Sequence, residues 1–229
     1  MITERPLLSI RRQFPRPEHA AVRRFKGAAT VHLVDAMDGR GALDWRIKAV
    51  NPAASVFAGP ALTCSAGPDD TLAILAAFEL AEPGDVIVAS TEGFTGSAVV
   101  GDLFAAMAKT AGVAAIVTDG LARDVEGICA SGLAVFAAGV SPNSAARSGP
   151  GTVGCPISLG NVEVSPGDVV VGDRDGVVVV PQNRLEEVHA ALEEVRTSEA
   201  EFPRGANGEV AVPGYVRELL HSDRVRYLG

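Results

Sequence analysis

Asp102, Arg123 and Asp124 are the residues in this sequence whose types and spacing most readily suggest chemistry. Gly101-Asp102 follows a stretch rich in Gly, Ser and Thr (residues 90–100), and Arg123-Asp124 follows VAAIVT and the turn Asp119-Gly120. Arginine presents a planar fork of donors that suits a carboxylate. An aspartate supplies a hard oxygen ligand, and Mg²⁺ or Mn²⁺ needs few of these, because such ions keep waters and take other ligands from substrate oxygens. Together the three residues suit a small anionic ligand. Local spacing equally allows a plainer role, with Asp102 and Asp124 as helix N-caps and Arg123 as a surface ion-pair partner.

Positioning such a set needs elements that end together. Residues 85–90 (DVIVAS), 113–118 (VAAIVT) and 133–138 read as buried strands, with helices predicted over 101–110 and 124–131, the second closed by Gly132. Apolar strands alternating with helices argue for parallel pairing covered on both faces. Loops that follow such strands share one edge of the sheet, so the starts of the two helices should meet there with their free N–H groups. Upstream, 18–38 reads as helical, 54–64 as a strand broken at Gly59-Pro60, and Asp70 as the N-cap of a helix over 71–80. Downstream, 151–180 reads as all-β, and Asp173-Arg174-Asp175-Gly176 as a hairpin turn rather than a calcium loop. An amphipathic helix over 183–197 places Leu185, Val188, Leu192 and Val195 on one face and Glu186, Glu187, Glu193 and Glu194 on the wet one. The fold class is α/β in one domain, 1–229, with a core of about 28–197 and a C-terminal tail, 198–229, expected to pack on the body or on a neighbouring subunit.

Composition narrows the partners. The chain has 20 Lys and Arg against 28 Asp and Glu, a net charge of −8, which argues against a phosphate-backbone partner. The N-terminal basic residues, Arg11 to Lys26, are interrupted by Pro15 and Pro17 and lack an aromatic stacking motif. No apolar run is long enough to span a bilayer, and the N-terminus has no signal-peptide core, so a cytoplasmic protein is expected. Three widely spaced cysteines (Cys64, Cys129, Cys155) read as small apolar residues in a reducing compartment, and the four scattered histidines offer no zinc spacing. No GxGxxG follows a strand, no GxxxxGK[ST] motif is present, and no Lys is placed for a Schiff base.

The segment GDLFAAMAKTAGVAAIVTDGLARDVEGICASGLAVFAAGVSP, with FAGPALTC (57–64), AEPGDVIV (81–88) and SPGDVVVGDRDGVVVVP (165–181), resembles the family of 4-hydroxy-4-methyl-2-oxoglutarate and 4-carboxy-4-hydroxy-2-oxoadipate aldolases and regulators of ribonuclease E activity. That family's signature of Asp, twenty residues, then Arg-Asp falls on Asp102, Arg123 and Asp124. The resemblance covers about residues 28–197 and implies an α-β-β-α sandwich, assembled as a homotrimer or homohexamer with sites at subunit interfaces. It implies that Arg123 binds the pyruvyl carboxylate and keto oxygen, Asp124 ligates a divalent metal (Mg²⁺ or Mn²⁺), and Asp102 holds a water beside it. The backbone of Gly101, Asp102, Leu103 and Phe104 would cradle the substrate, with Glu199 of a neighbouring copy as a helper, while stretch 141–160 departs from the family in lacking its usual basic residue, for which Arg147 is the substitute. The implied activity is retro-aldol cleavage of a 4-hydroxy-2-oxo diacid, with oxaloacetate decarboxylation on the side. The same resemblance leaves open a non-catalytic, protein-binding regulator of a ribonuclease. A methyltransferase, a label sometimes attached to such sequences, lacks its nucleotide motif here.

Overall fold

The computed structural model describes residues 6–200 and 212–228. The chain divides into two compact units, Met1–Leu192 and Glu193–Gly229. In the first, four strands, Phe57–Ser65, Val86–Ser90, Ala115–Thr118 and Ala134–Ala137, lie side by side in that order and parallel. Helices Leu72–Leu80, Asp102–Thr110 and Val125–Ser131 make the connections.

Alternation along the strands builds the layers. Ile87, Ala89, Ile116, Val135 and Ala137 face one core, shared with Ile74, Ala105 and Ile128 of the connecting helices. Val86, Val88, Val117 and Phe136 face the other way, onto Ile157, Leu159, Val170, Val177 and Val179. Those last residues belong to a second β layer, the hairpins Ile157–Leu159/Val162–Val164 and Val169–Gly172/Val177–Val180. The outer face of the latter hairpin (Val169, Val171, Val178, Val180) packs on Phe25, Leu33, Leu185, Val188 and Leu192. The order is therefore helix, sheet, sheet, helix. Each fully buried aliphatic side chain contributes about 1.5–3 kcal/mol to these three cores.

Several expectations change. The stretch 18–38 is two helices, His19–Arg23 and Thr30–Ala36, separated by a turn at Gly27, whose φ of +76° ends helical winding. Gly59-Pro60 does not break its strand, because Phe57–Ser65 changes partner there. Residues 57–60 pair with 169–172 in the second layer, and the ladder to Val86–Ser90 begins at Ala61, after the proline that lacks an N–H. Gly59 is required for close approach, since a Cβ there would collide with the Gly84 carbonyl oxygen. The helix after Asp70 begins at Leu72, with Thr71 as N-cap. The turn at Asp173–Gly176 joins a hairpin, and Asp173 accepts hydrogen bonds from the Thr30 N–H (2.8 Å) and hydroxyl (2.7 Å), which anchors the second helix.

In the second unit, helix Gly214–Leu220 is followed by a turn in which the Tyr227 hydroxyl donates to the Leu220 carbonyl at 2.8 Å. No helix among the described residues is long and apolar enough to cross a membrane. Two cations of the N-terminal basic stretch are paired: Arg16 with Asp85 and Glu82, and Arg24 with Glu186.

Candidate active site

A small sheet with no signal in the sequence aligns the site. Each of the last three parallel strands is followed by a short one: Ala98–Val100, Leu121–Ala122 and Gly139–Val140, paired parallel to one another. Val100 pairs with Ala122, so Gly101 and Arg123 are the next residues on neighbouring strands. The Arg123 N–H closes the register on the Val100 carbonyl at 2.9 Å. Both chains then turn directly into helices, which brings the two helix starts together.

Asp124 caps no helix N–H with its side chain, whereas Asp102 accepts one from within the first turn. Gly101, not Asp102, is the N-cap of helix Asp102–Thr110. Asp102 is in its first turn, where its carboxylate accepts the Leu103 N–H at 2.7 Å and its Cβ lies against the second helix. A Cβ on Gly127 would stand 2.5 Å from the Asp102 Cβ. Asp124 precedes helix Val125–Ser131 with φ +55° and ψ +46°, a left-handed conformation that Asp tolerates better than most non-glycine residues; Asp38, Asp69, Glu92 and Asn161 also have a positive φ. Its carboxylate makes no capping bond. Instead Oδ2 lies 3.2 Å from Nε of Arg123 and would be 2.8 Å from a Cβ on Gly101. The pair is half exposed, and an Arg123 terminal nitrogen donates to the Ser144 hydroxyl.

Gly101, Asp102, Leu103, Phe104, Arg123 and Asp124 line one cleft, with Thr71, Ser144 and Arg147 also on its wall. The Phe104 ring points into the core, edge-on to Phe78 at 5.5 Å, so this residue offers the cleft its backbone. The cleft holds about 60 Å³, the share of roughly two waters, so a bound diacid would project beyond it. Glu199 lies on helix Leu185–Ala200, in the second unit. Lys109 donates to the Ser131 carbonyl and Lys48 to the Asp175 carbonyl, outside the cleft lining. Ser144 and Thr71, which also line the cleft, belong to no spacing pattern in the sequence.

A larger cleft of about 690 Å³ sits at the carboxyl ends of the parallel strands, between Ser65, Ser90, Asp119 and the 157–161 hairpin turn. Its two aspartates are already matched. Asp119 accepts from the Thr91 N–H (2.6 Å) and hydroxyl (3.1 Å) and the Gly93 N–H (3.0 Å), and Asp44 is held by Arg46, which keeps its carboxyl well below the usual range. The Asp102, Arg123 and Asp124 grouping lines the smaller cleft and not this one.

No set of three or more His, Cys, Asp or Glu residues that could hold a metal occurs among the described residues. A fully protein-ligated ion is thus a poor fit. One exposed carboxylate, Asp124, with Asp102 on the same cleft, fits an ion of the Mg²⁺ type that keeps waters and accepts substrate oxygens.

Residues 30–179 match the family profile described as RraA-like, aldolase/RraA. The chain belongs to this family. A Halalkalibacterium halodurans protein provisionally named a 4-hydroxy-4-methyl-2-oxoglutarate aldolase is 35% identical over 201 residues, 87% of this chain and 95% of its own. The crystal structure of Streptomyces coelicolor RraAS2, described as an unusual member of the RNase ES inhibitor RraA family, superimposes with a TM-score of 0.74 at 28% identity, covering 82% of this chain and 98% of that one. A Geobacillus kaustophilus structure described as an S-adenosylmethionine:2-dimethylmenaquinone methyltransferase has a TM-score of 0.62 at 29% identity, covering 67% and 94%. The α-β-β-α layering is that of the RraA-like fold. The family includes proteins named as aldolases and as ribonuclease inhibitors, so family membership alone does not select between them.

Proposed function

We propose that this chain is a divalent-metal-dependent class II aldolase that cleaves a 4-hydroxy-2-oxo diacid to pyruvate and a second oxo acid, with oxaloacetate decarboxylation as a side activity. The observation that carries the reading is the convergence of Arg123, Asp124 and Asp102 on one cleft, with the Asp124 carboxylate turned from the helix onto Arg123 over the bare Cα of Gly101. A helix cap would turn that carboxylate onto the free N–H groups of its own helix. The name of the Halalkalibacterium relative supports the same class of reaction.

In this reading the Arg123 guanidinium holds the substrate's carboxylate and C2 oxygen, steadied by Ser144. Asp124 would hold Mg²⁺ or Mn²⁺, which supplies Lewis acidity toward the same oxygen. A base takes the proton from the 4-hydroxyl group, the C3–C4 bond breaks, and its electrons move toward the C2 oxygen. Arg123 is preplaced where that negative charge develops, so its attraction is stronger in the transition state than in the ground state. Asp102 orders the water that returns a proton to C3. Decarboxylation of oxaloacetate passes through the same charge distribution, hence the side activity. The reading includes assembly as a homotrimer or homohexamer, in which a neighbouring copy covers the projecting part of the diacid and contributes Glu199.

The test is pyruvate release from 4-hydroxy-2-oxo diacids. Arg123→Ala and Asp124→Ala should each lower it by roughly 100-fold or more while leaving the circular dichroism spectrum unchanged. Near-wild-type turnover in either variant would reject the site. A regulator of a ribonuclease is the second reading, favoured by the likeness to RraAS2. Stoichiometric recovery of a ribonuclease, with no lyase activity on any 2-oxo acid, would select it.

A further inference from the structure

Residues 143–149 deliver Ser144 to Arg123, yet they bury little of themselves. Asn143, Ser144, Ala146, Arg147 and Ser148 are all exposed. Only Ala145 of the segment packs against the core, so its hydrogen bonds carry most of its positioning. At one end the Asn143 carbonyl accepts the Ala98 N–H at 3.0 Å, and its side-chain amide donates to the Gly96 carbonyl at 3.0 Å. In the middle the Ala146 N–H donates to the Asp69 carbonyl at 2.8 Å, and the Ala146 carbonyl accepts the Thr71 N–H at 3.0 Å. At the far end one side chain gathers the backbone. Asp70, a residue only 6% exposed, accepts the Ser148 and Gly149 N–H groups on Oδ2, the latter at 2.9 Å. Its Oδ1 accepts the Leu72 N–H at 2.7 Å, at the start of the following helix.

We infer that Asp70 is a positioning residue for the Arg123 site: its carboxylate pins segment 143–149 so that Ser144 holds the guanidinium toward the cleft. Both oxygens must be acceptors, because three N–H donors converge on them. An amide in that place presents its own NH₂ to at least one donor and loses the bond. The helix start uses only one of the three bonds, so a capping role does not account for the other two.

The activity readout rests on the aldolase reading, and the structural readout does not. Pyruvate release is measured for Asp70→Asn, Ser144→Ala and the double variant. Asp70→Asn should lower kcat roughly 10-fold with KM little changed, and the double variant should be no worse than Asp70→Asn alone, because both act through one contact to a group that stabilises the transition state. An unchanged kcat, or effects that multiply, overturns the inference. Independently, limited trypsin digestion mapped by mass spectrometry should cut after Arg147 at least about 10-fold faster in Asp70→Asn than in the wild type. Equal rates overturn it. If the wild type releases no pyruvate from any 2-oxo acid, the aldolase reading fails and the proteolysis still decides the pin. Should Asp70→Asn not fold, amide exchange in the wild type decides. Ser148 and Gly149 should be protected although Ser148 is exposed, and exchange at the unprotected rate overturns the inference.

Discussion

Gly101 separates the site's geometry from the fold's stability. Its φ of −141° suits any residue, so alanine there costs the backbone little. The added Cβ would nevertheless stand 2.8 Å from Oδ2 of Asp124 and push that carboxylate off Arg123. Gly101→Ala should lower kcat/KM on the order of 100-fold with a melting temperature close to that of the wild type, as steady-state kinetics and calorimetry would show. Cys64 gives a second residue-scale test. Full burial pushes its thiol up to about 12, so it stays protonated at neutral pH and above. Iodoacetamide at pH 8 should label exposed Cys129 in the native protein and spare Cys64, and rapid labelling of Cys64 would show that the core opens. At this scale much was legible in the sequence. The types and spacing of Asp102, Arg123 and Asp124 already named the cleft residues. What they could not give was the left-handed backbone of Asp124, because nothing in its local sequence demands it.

Among the elements, the two helix starts depend on how closely helices Asp102–Thr110 and Val125–Ser131 approach. A glycine inside a helix usually costs about 1 kcal/mol relative to alanine. At Gly127 the sign should reverse, since a Cβ would meet the Asp102 Cβ at 2.5 Å and force the helices apart. Gly127→Ala should destabilise the chain by about 1–3 kcal/mol in urea titrations and reduce activity with it. Asp168 ties the second β layer to the turn at Gln182, accepting the Ser165 N–H at 2.8 Å and the Gln182 N–H at 2.9 Å. Burial raises its carboxyl above the ordinary value of 3.8. Its contribution is thus fully present below that value and is lost as pH rises through the raised folded one. The melting temperature of Asp168→Asn relative to wild type should therefore climb as pH is raised from 3 through the acidic range, and a falling difference would contradict the direction. The larger elements were legible from apolar strands and helical spacing. The aligning sheet was not, because strands such as Leu121–Ala122 are too short to show a period of two. The two-layer path of Phe57–Ser65 was hidden as well, since Gly59-Pro60 signals a break when read locally and a change of partner only in the assembled sheet.

For the whole molecule, the layers leave the Arg123 cleft small, at about 60 Å³, and a diacid would extend past its walls. Assembly of copies around that opening is the architecture proposed here, and light scattering should give three or six chains per particle. A monomer with full activity would contradict it. The net charge of −8 places the burden of attracting an anionic substrate on local groups, Arg123 and Arg147 at the cleft and the proposed metal ion, rather than on the molecule's overall field. Activity should for that reason be extinguished by chelation. The most direct test of the central claim is lactate-dehydrogenase-coupled pyruvate release from a panel of 4-hydroxy-2-oxo diacids and oxaloacetate, run after EDTA and after restoring Mg²⁺ or Mn²⁺, for the wild type and Arg123→Ala. The account predicts turnover by the wild type that EDTA silences, that either ion restores, and that Arg123→Ala lacks throughout. Turnover that persists in EDTA, or that survives loss of the Arg123 guanidinium, would contradict it.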